Sequence, residues 1–405
     1  MMRKISEFII SSKNNIFVDD YMNRLLYGNQ KRKYTVSPSN INKYRRKYDK
    51  TFHIIYPVFI LLSPVISVFK LTYEFVKFSI NKLALKQGDI GNSSDVILLT
   101  TRNALRFLEI HGFENSKIIT TPSSRILVDD KFKDKCISTL KIVTFRGLIM
   151  NYLSSLITIG SVWYHFGYRN VIYSANSFEW FLMYDVIKIL NEKVKTILFS
   201  NQKDRWAILY DRNFKGQKVL LQHGTNIIRV LPSDLVKPYL NFIQEYNVWS
   251  LQMPVKYRSI NTLYAFNEIE ADVMIDGEFD NKPDITIFIG YSLVIKPYHH
   301  QVEDEKRVLL LIGNSSVFNI EEAFFINKLS KEKFHLLIKP HPNSNIIDYS
   351  SYNKVATLVN FNPEVDIVVS YNSTLAYEYE SLGYAVIIYK DLNNLKEIVE
   401  KLNIS

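Results

Sequence analysis

The chain has 405 residues, too many for one ordinary hydrophobic core, so two domains are expected. Hydrophobic residues make up 47% and aromatics 14%, which excludes a disordered or low-complexity chain. The net charge of +10 is local: residues 1–50 carry 12 Lys and Arg against 4 Asp and Glu, so the body is nearly neutral. That distribution argues against a nucleic-acid enzyme with a basic folded face and suits an arm meeting an anionic membrane or partner.

The first apolar run, at residues 8–10, is too short for a secretory signal. Residues 52–69 form a longer run without Lys, Arg, Asp or Glu, and it follows Lys43, Arg45, Arg46, Lys47 and Lys50. A run of about 18 residues is near the lower limit for a spanning helix, and Pro57 and Pro64 would kink it. Three readings stay open for it: a span, a membrane-surface or hairpin element, or buried structure. Beyond residue 90 the pattern becomes regular. Short apolar runs at 95–101 (DVILLTT), 116–121 (SKIITT), 170–173 (NVIY), 195–200 (KTILFS), 218–222 (KVLLQ), 261–266 and 284–289 (DITIFI) read as strands separated by helical segments. Such alternation predicts βαβ units and a parallel sheet. The lone Cys136 allows no intramolecular disulfide, fits a reducing cytoplasm and reads as a buried inert thiol.

Residues 297–305 (PYHHQVEDE) read as a linker, after which the cycle restarts. Strands are expected at 307–312, 334–339, 365–370 and 385–389, and helices at 320–329, 373–382 and 392–402. Two α/β halves joined this way would face each other across a cleft lined by the loops at the carboxyl ends of their strands.

Three signals sit at such strand ends. Gln222-His223-Gly224-Thr225 places an imidazole, able to remove a proton from a hydroxyl, beside a glycine turn. Lys339-Pro340-His341-Pro342 fixes a cation and a donor where phosphate oxygens could be met. Ser370-Tyr371-Asn372-Ser373-Thr374 leads into a helix that Ser373 and Thr374 would cap, making a phosphate cradle, with Glu378 one turn further on to hold a sugar hydroxyl. Each has a purely structural alternative: a turn histidine, a rigid surface turn, a plain N-cap. Weaker candidates are Asn314 and Ser315 at the first strand–helix turn of the second half, and Asp204, Arg205 and Asn176 on an acceptor side. The sequence has no G-x-G-x-x-G after an opening strand, no P-loop and no D-x-D, which removes support from dinucleotide oxidoreductases, P-loop enzymes and metal-dependent one-domain glycosyltransferases. His299-His300 lacks a nearby Cys ligand, so no metal is expected.

In order and spacing the three signals resemble bacterial GT-B transferases of capsule, O-antigen and teichoic-acid synthesis, a group that includes CDP-glycerol glycerophosphotransferases and bacterial sialyltransferases. The former look like W-H-G-T, R-x-H-P and S-D-x-S-S-x-x-x-D. Here Gln222 replaces the tryptophan, Tyr371 replaces the acid, and Glu378 stands at the last position. The resemblance spans roughly residues 215–390 and takes in Gly290-Tyr291. It implies His223 as base, His341 as phosphate ligand or acid, Lys339, Ser373 and Thr374 on donor phosphates, and Glu378 near the donor. The departures shift the implied donor from a CDP-polyol toward a sugar nucleotide.

The expected fold class is therefore α/β of GT-B type. A basic and apolar extension over 1–88 would precede an acceptor domain over 89–296 and a nucleotide-donor domain over 297–405, each Rossmann-like. The expected activity is metal-independent sugar transfer without a cofactor, the nucleotide-activated donor being a substrate. The acceptor would be a lipid-linked glycan or polysaccharide, handled in the cytoplasm at the inner membrane face, with no nucleic-acid partner. CDP-polyol phosphate transfer and a non-catalytic role in polysaccharide assembly remain as alternatives.

Overall fold

The computed structural model describes residues 1–27, 52–85, 90, 94–122, 130–224, 226–228, 234–290, 293–298, 306–311, 326–327, 329, 334–340, 352, 355–370 and 373–388. The chain divides into two compact units, the first running to residue 289 and the second starting at 290. This boundary precedes the expected 297 because Leu293, Ile295 and Tyr298 pack into the core of the second unit.

The first unit is built on a parallel sheet of β1 (Asp95–Leu99), β2 (Lys117–Thr120), β3 (Cys136–Ser138), β4 (Thr196–Phe199), β5 (Gln217–Leu221), β8 (Thr262–Ala265) and β9 (Ile285–Phe288), in the order β3-β2-β1-β4-β5-β8-β9. A two-stranded antiparallel ribbon, β6 (Leu240–Ile243) with β7 (Val248–Leu251), intervenes before β8. The period of two is visible within single strands. Val96 and Leu98 enter one core with Ile197, Phe199 and Leu220, while Ile97 and Leu99 enter the other with Leu198, Val219 and Leu221. Burial on both faces explains why these strands read as unbroken apolar runs.

The helices are α1 (Met2–Tyr27), α2 (Phe52–Leu61), α3 (Ser63–Leu83), α4 (Thr139–Ile142), α5 (Phe145–Phe166), α6 (Ser177–Lys193), α7 (Arg205–Asn213) and α8 (Glu268–Glu278). α6 is buried nearly all round, through Phe178, Trp180, Phe181, Met183, Val186 and Ile187, as befits a helix covered on both sides. Residues 2–27, expected from sequence to belong to an extension, form an integral helix of this unit. Phe8 is fully buried and meets Trp180 at 5.4 Å, Arg212 reaches Glu7 at 2.8 Å, and Lys4 reaches Asp185 at 2.7 Å. The apolar run at 52–69 is split between α2 and α3, and no helix among the described residues is long and apolar enough to cross a membrane.

One expected strand is corrected. Residues 170–173 lie in a 3-10 segment, Tyr168–Asn176, that starts where Gly167 ends α5 at φ +81°. Ser174 donates to the Val171 carbonyl at 2.6 Å, closing a turn that an extended strand could not contain. Cys136 is half-buried, donates to the Phe132 carbonyl, and burial pushes its thiol pKa up.

The second unit carries a parallel sheet of β10 (Lys306–Leu311), β11 (Phe334–Lys339), β12 (Thr357–Leu358), β13 (Ile367–Ser370) and β14 (Ala385–Ile388), in the order β12-β11-β10-β13-β14, with α9 (Thr374–Ser381) after β13. Val308 and Leu310 face one core, Leu309 and Leu311 the other. Numbered within each unit, both sheets share the order 3-2-1-4-5, the Rossmann arrangement, so the chain is an α/β protein with two Rossmann-like units. The expected helix at 392–402 lies outside the described residues.

Truncating Phe8 to Ala removes a fully buried ring from the α1–α6 junction. The expected cost is about 3–5 kcal/mol, read as a drop of roughly 10 °C in thermal unfolding; an unchanged Tm would contradict an integral α1.

Candidate functional site

In an open parallel sheet the strand order reverses at one point, and ligands bind at the carboxyl edge there. In the first unit that point lies between β1 and β4. The residues just past both strands are polar and bonded across the gap: Thr100 donates to Asn201, and Thr101 is bonded to Ser200. Asn201 then donates to Asp204 at 2.8 Å. Asp204 is the N-cap of α7, its carboxylate accepting from the Trp206 and Ala207 amides at 2.9 and 3.1 Å. Burial raises the Asp204 pKa against these bonds.

Arg205 follows, held at its amide by Asn15 at 2.8 Å. Burial lowers its pKa, while Asp204, Glu179, Asp19 and Tyr173 act to raise it. Its Nε is buried without a hydrogen-bond partner. Asp19 accepts from the Tyr173 hydroxyl at 2.5 Å, and burial lifts its pKa to about 6. Asp19 and Tyr173 also line a cavity of about 610 Å³ together with Lys13, Phe17, Tyr168 and Arg169.

His223 sits two residues past β5, its ring reaching solvent. Desolvation lowers its pKa and the Asp204 carboxylate opposes that; the net shift favours the neutral imidazole, the form that accepts a proton. Its loop is clamped from below. Gln222 is fully buried, donates to Glu270 at 2.9 Å and accepts from the Phe266 amide at 2.8 Å. Glu270 also accepts from the Asn226 amide at 2.9 Å, and its own amide is capped by Asn267. A second brace holds the Asn201–Asp204 turn: Lys203, at φ +60°, reaches Glu278 at 3.6 Å.

The structure thus brings Asp204, Arg205 and His223 into one electrostatic neighbourhood at the carboxyl edge. Asn176 is engaged elsewhere, accepting from Lys70 at 2.7 Å. Sequence reading missed the Gln222–Glu270 clamp and the Asp19–Tyr173 pair, whose members lie 48 and 154 residues apart.

In the second unit the order reverses between β10 and β13. Leu311 at the end of β10 is in register with Lys339 on one side and Ser370 on the other, so both sequence signals arrive at one edge. Lys339 is half-buried, donates to the Phe361 carbonyl at 2.9 Å, and has its pKa lowered by desolvation. Ser370 is fully buried and accepts from the Ser373 amide at 3.3 Å. Ser373 occupies the N-cap position of α9, but its side chain makes no capping bond, a correction to the expected cap, and Thr374 opens the helix. Glu378 lies one turn along the helix. His341, Asn314 and Ser315 lie outside the described residues.

No protein-family model matches the chain, and no curated protein matches its sequence. Among solved structures it is similar to a UDP-N-acetylglucosamine 2-epimerase from Rickettsia bellii (13% identity, TM-score 0.37, covering 73% of this chain and 78% of that one). It is similar also to the lipopolysaccharide outer core galactosyltransferase WaaB in its apo form (10% identity, TM-score 0.36, covering 73% and 80%). A third is Phytolacca americana UGT2 complexed with UDP-2fluoro-glucose and pterostilbene (7% identity, TM-score 0.34, covering 75% and 81%).

Glu278 gives this site a pH signature. Its carboxyl is buried, and burial lifts its pKa from 4.5 to about 7, Lys203 opposing. The folded state therefore holds a proton that the unfolded state has released, so stability is lost as pH rises from 4.5 through 7 and is level above. Glu278→Gln should relieve a penalty on the order of 3 kcal/mol above pH 7 and little near pH 4.5. Melting curves of both proteins across that range check it; parallel pH profiles would contradict it.

Proposed function

We propose that the chain is a glycosyltransferase of GT-B type that moves a sugar from a nucleotide-sugar donor to the hydroxyl of a lipid-linked glycan or polysaccharide, in the synthesis of a capsule or O-antigen. The observation that carries the reading is the repeated strand order: both units share the order 3-2-1-4-5 and present polar residues at the carboxyl edge, His223 past β5 in the first, Lys339 and the start of α9 in the second.

In this reading the first unit takes the acceptor. His223 removes the proton of the acceptor hydroxyl as its oxygen bonds to the anomeric carbon. The bond from that carbon to the nucleoside diphosphate breaks, and the diphosphate leaves with the electron pair. Lys339, the amides opening α9 with Ser373 and Thr374, and His341, two residues after Lys339 in sequence, meet its charge. The hydroxyl of Ser373 makes no capping bond, and in this reading it donates to a phosphate oxygen. In this reading Glu378, and Asn314 and Ser315 in the sequence after β10, act on the donor. The cavity beside Asp19 and Tyr173, with its aromatic walls and carboxylates, suits part of a glycan acceptor.

The test is thermal unfolding with CMP, CDP, UDP, GDP and dTDP, on the native chain and on a Ser373→Ala/Thr374→Ala variant. One nucleotide at 100 times its Kd should stabilise the native chain by about 2.7 kcal/mol, and the variant should lose this. Stabilisation by CDP would point to the CDP-polyol alternative. Failure of every nucleotide on a folded chain would overturn the donor assignment.

A further inference from the structure

Two helices of the first unit bury polar residues and expose a stripe of apolar ones. α5 buries Asn151, Ser154, Ser155 and Thr158 beside Leu148 and Val162, yet exposes Phe145, Ile149, Leu153, Ile157, Trp163 and Tyr164. The spacing 145, 149, 153, 157 draws the first four into one stripe. α3 is similar, with Ser63 and Ser67 buried beside Leu71 and Phe78, and Val65, Phe69, Tyr73, Val76, Ile80 and Leu83 exposed along one face. The buried hydroxyls of α5 are satisfied within the helix: Ser154, Ser155 and Thr158 each donate to the carbonyl four residues back at 2.8 Å.

The inward sides of both helices converge on α6. Phe75 stacks on Tyr152 at 4.5 Å, and Phe75, Phe78 and Tyr152 all meet Phe178. Both stripes therefore face away from the sheet. Buried polar residues among aromatic and aliphatic ones on the packing side, with a large apolar stripe outside, suit helices whose outer solvent is hydrocarbon. Neither helix is long and apolar enough to span, which leaves the plane of the interface.

Charge says which interface. Across α2, α3 and α5 the only carboxylate is Glu74, little exposed and paired with Lys70 at 3.7 Å. Lys77 and Arg146 are exposed on the same helices. Exposed cations on helices that carry an apolar stripe complement anionic headgroups over acyl chains. A second copy of the chain would bring like charges together. Trp163 and Tyr164, exposed near the end of α5, suit the headgroup level.

We propose that the α3–α5 face lies in the surface of an anionic lipid bilayer and holds the protein there. The proposal does not rest on sugar transfer, and its test needs no donor. The full chain is floated with phosphatidylcholine vesicles and with equimolar phosphatidylcholine–phosphatidylglycerol vesicles. It should float with the anionic vesicles, less so in high salt. Leu153→Glu/Ile157→Glu should lower the bound fraction by about tenfold with an unchanged melting temperature. Lys77→Glu/Arg146→Glu, which touches only exposed positions, should weaken binding to the anionic vesicles alone. Flotation equal to the native chain in both variants, or no flotation of the native chain, would overturn the proposal. So would a lipid-independent dimer that the Leu153→Glu/Ile157→Glu substitutions dissolve, which would give the face to a second copy.

Discussion

A parallel sheet covered on both faces has only its strand ends left for polar chemistry, and the rest of this molecule follows from that constraint. From Val96 to Leu99 in β1 and from Val308 to Leu311 in β10 every second side chain enters one core and the alternate ones enter the other, so these stretches present no polar group. The polar residues collect just past the last apolar position: Thr100 and Thr101, Ser200 and Asn201, Gln222 and His223 in the first unit, Lys339 and Ser370 in the second. What differs between the units is how those residues are held.

In the first unit they are braced by buried carboxylates on helices. Glu270 in the first turn of α8 ties down the loop of His223 through Gln222 and the Asn226 amide, and Glu278 at the end of the same helix reaches Lys203. One helix thus positions two loops of the site, and a proton on Glu278 trades stability against a charged brace. Asp204 fixes the start of α7 while acting on both Arg205 and His223. In the second unit the Ser370 hydroxyl accepts from the Ser373 amide, and the Ser373 side chain makes no capping bond to α9.

What was legible in the sequence follows the same physics. Strands buried on both faces are unbroken apolar runs, so 95–101, 218–222 and 334–339 could be read directly, and with them the residues at their ends. The 170–173 segment misled because NVIY has strand-like composition, whereas Gly167 and the Ser174 hydroxyl set a tight turn. α5 carries no ordinary amphipathic signal, since its buried side holds Asn151, Ser155 and Thr158. Gln222 looked like a departure from a tryptophan motif, and its purpose emerges only with Glu270, 48 residues on. Bracing partners of this kind leave no local pattern, and α1 was legible only as a charged segment because its apolar positions pair with α6 across the fold.

The central claim is that acceptor activation and donor binding belong to different units. The most direct measurement is release of nucleoside diphosphate from the nucleotide sugar whose nucleotide binds, alongside nucleotide affinity, in the native chain and in His223→Ala. The account predicts that turnover falls by about 10²–10⁴-fold while affinity is kept. Undiminished turnover in His223→Ala would contradict it.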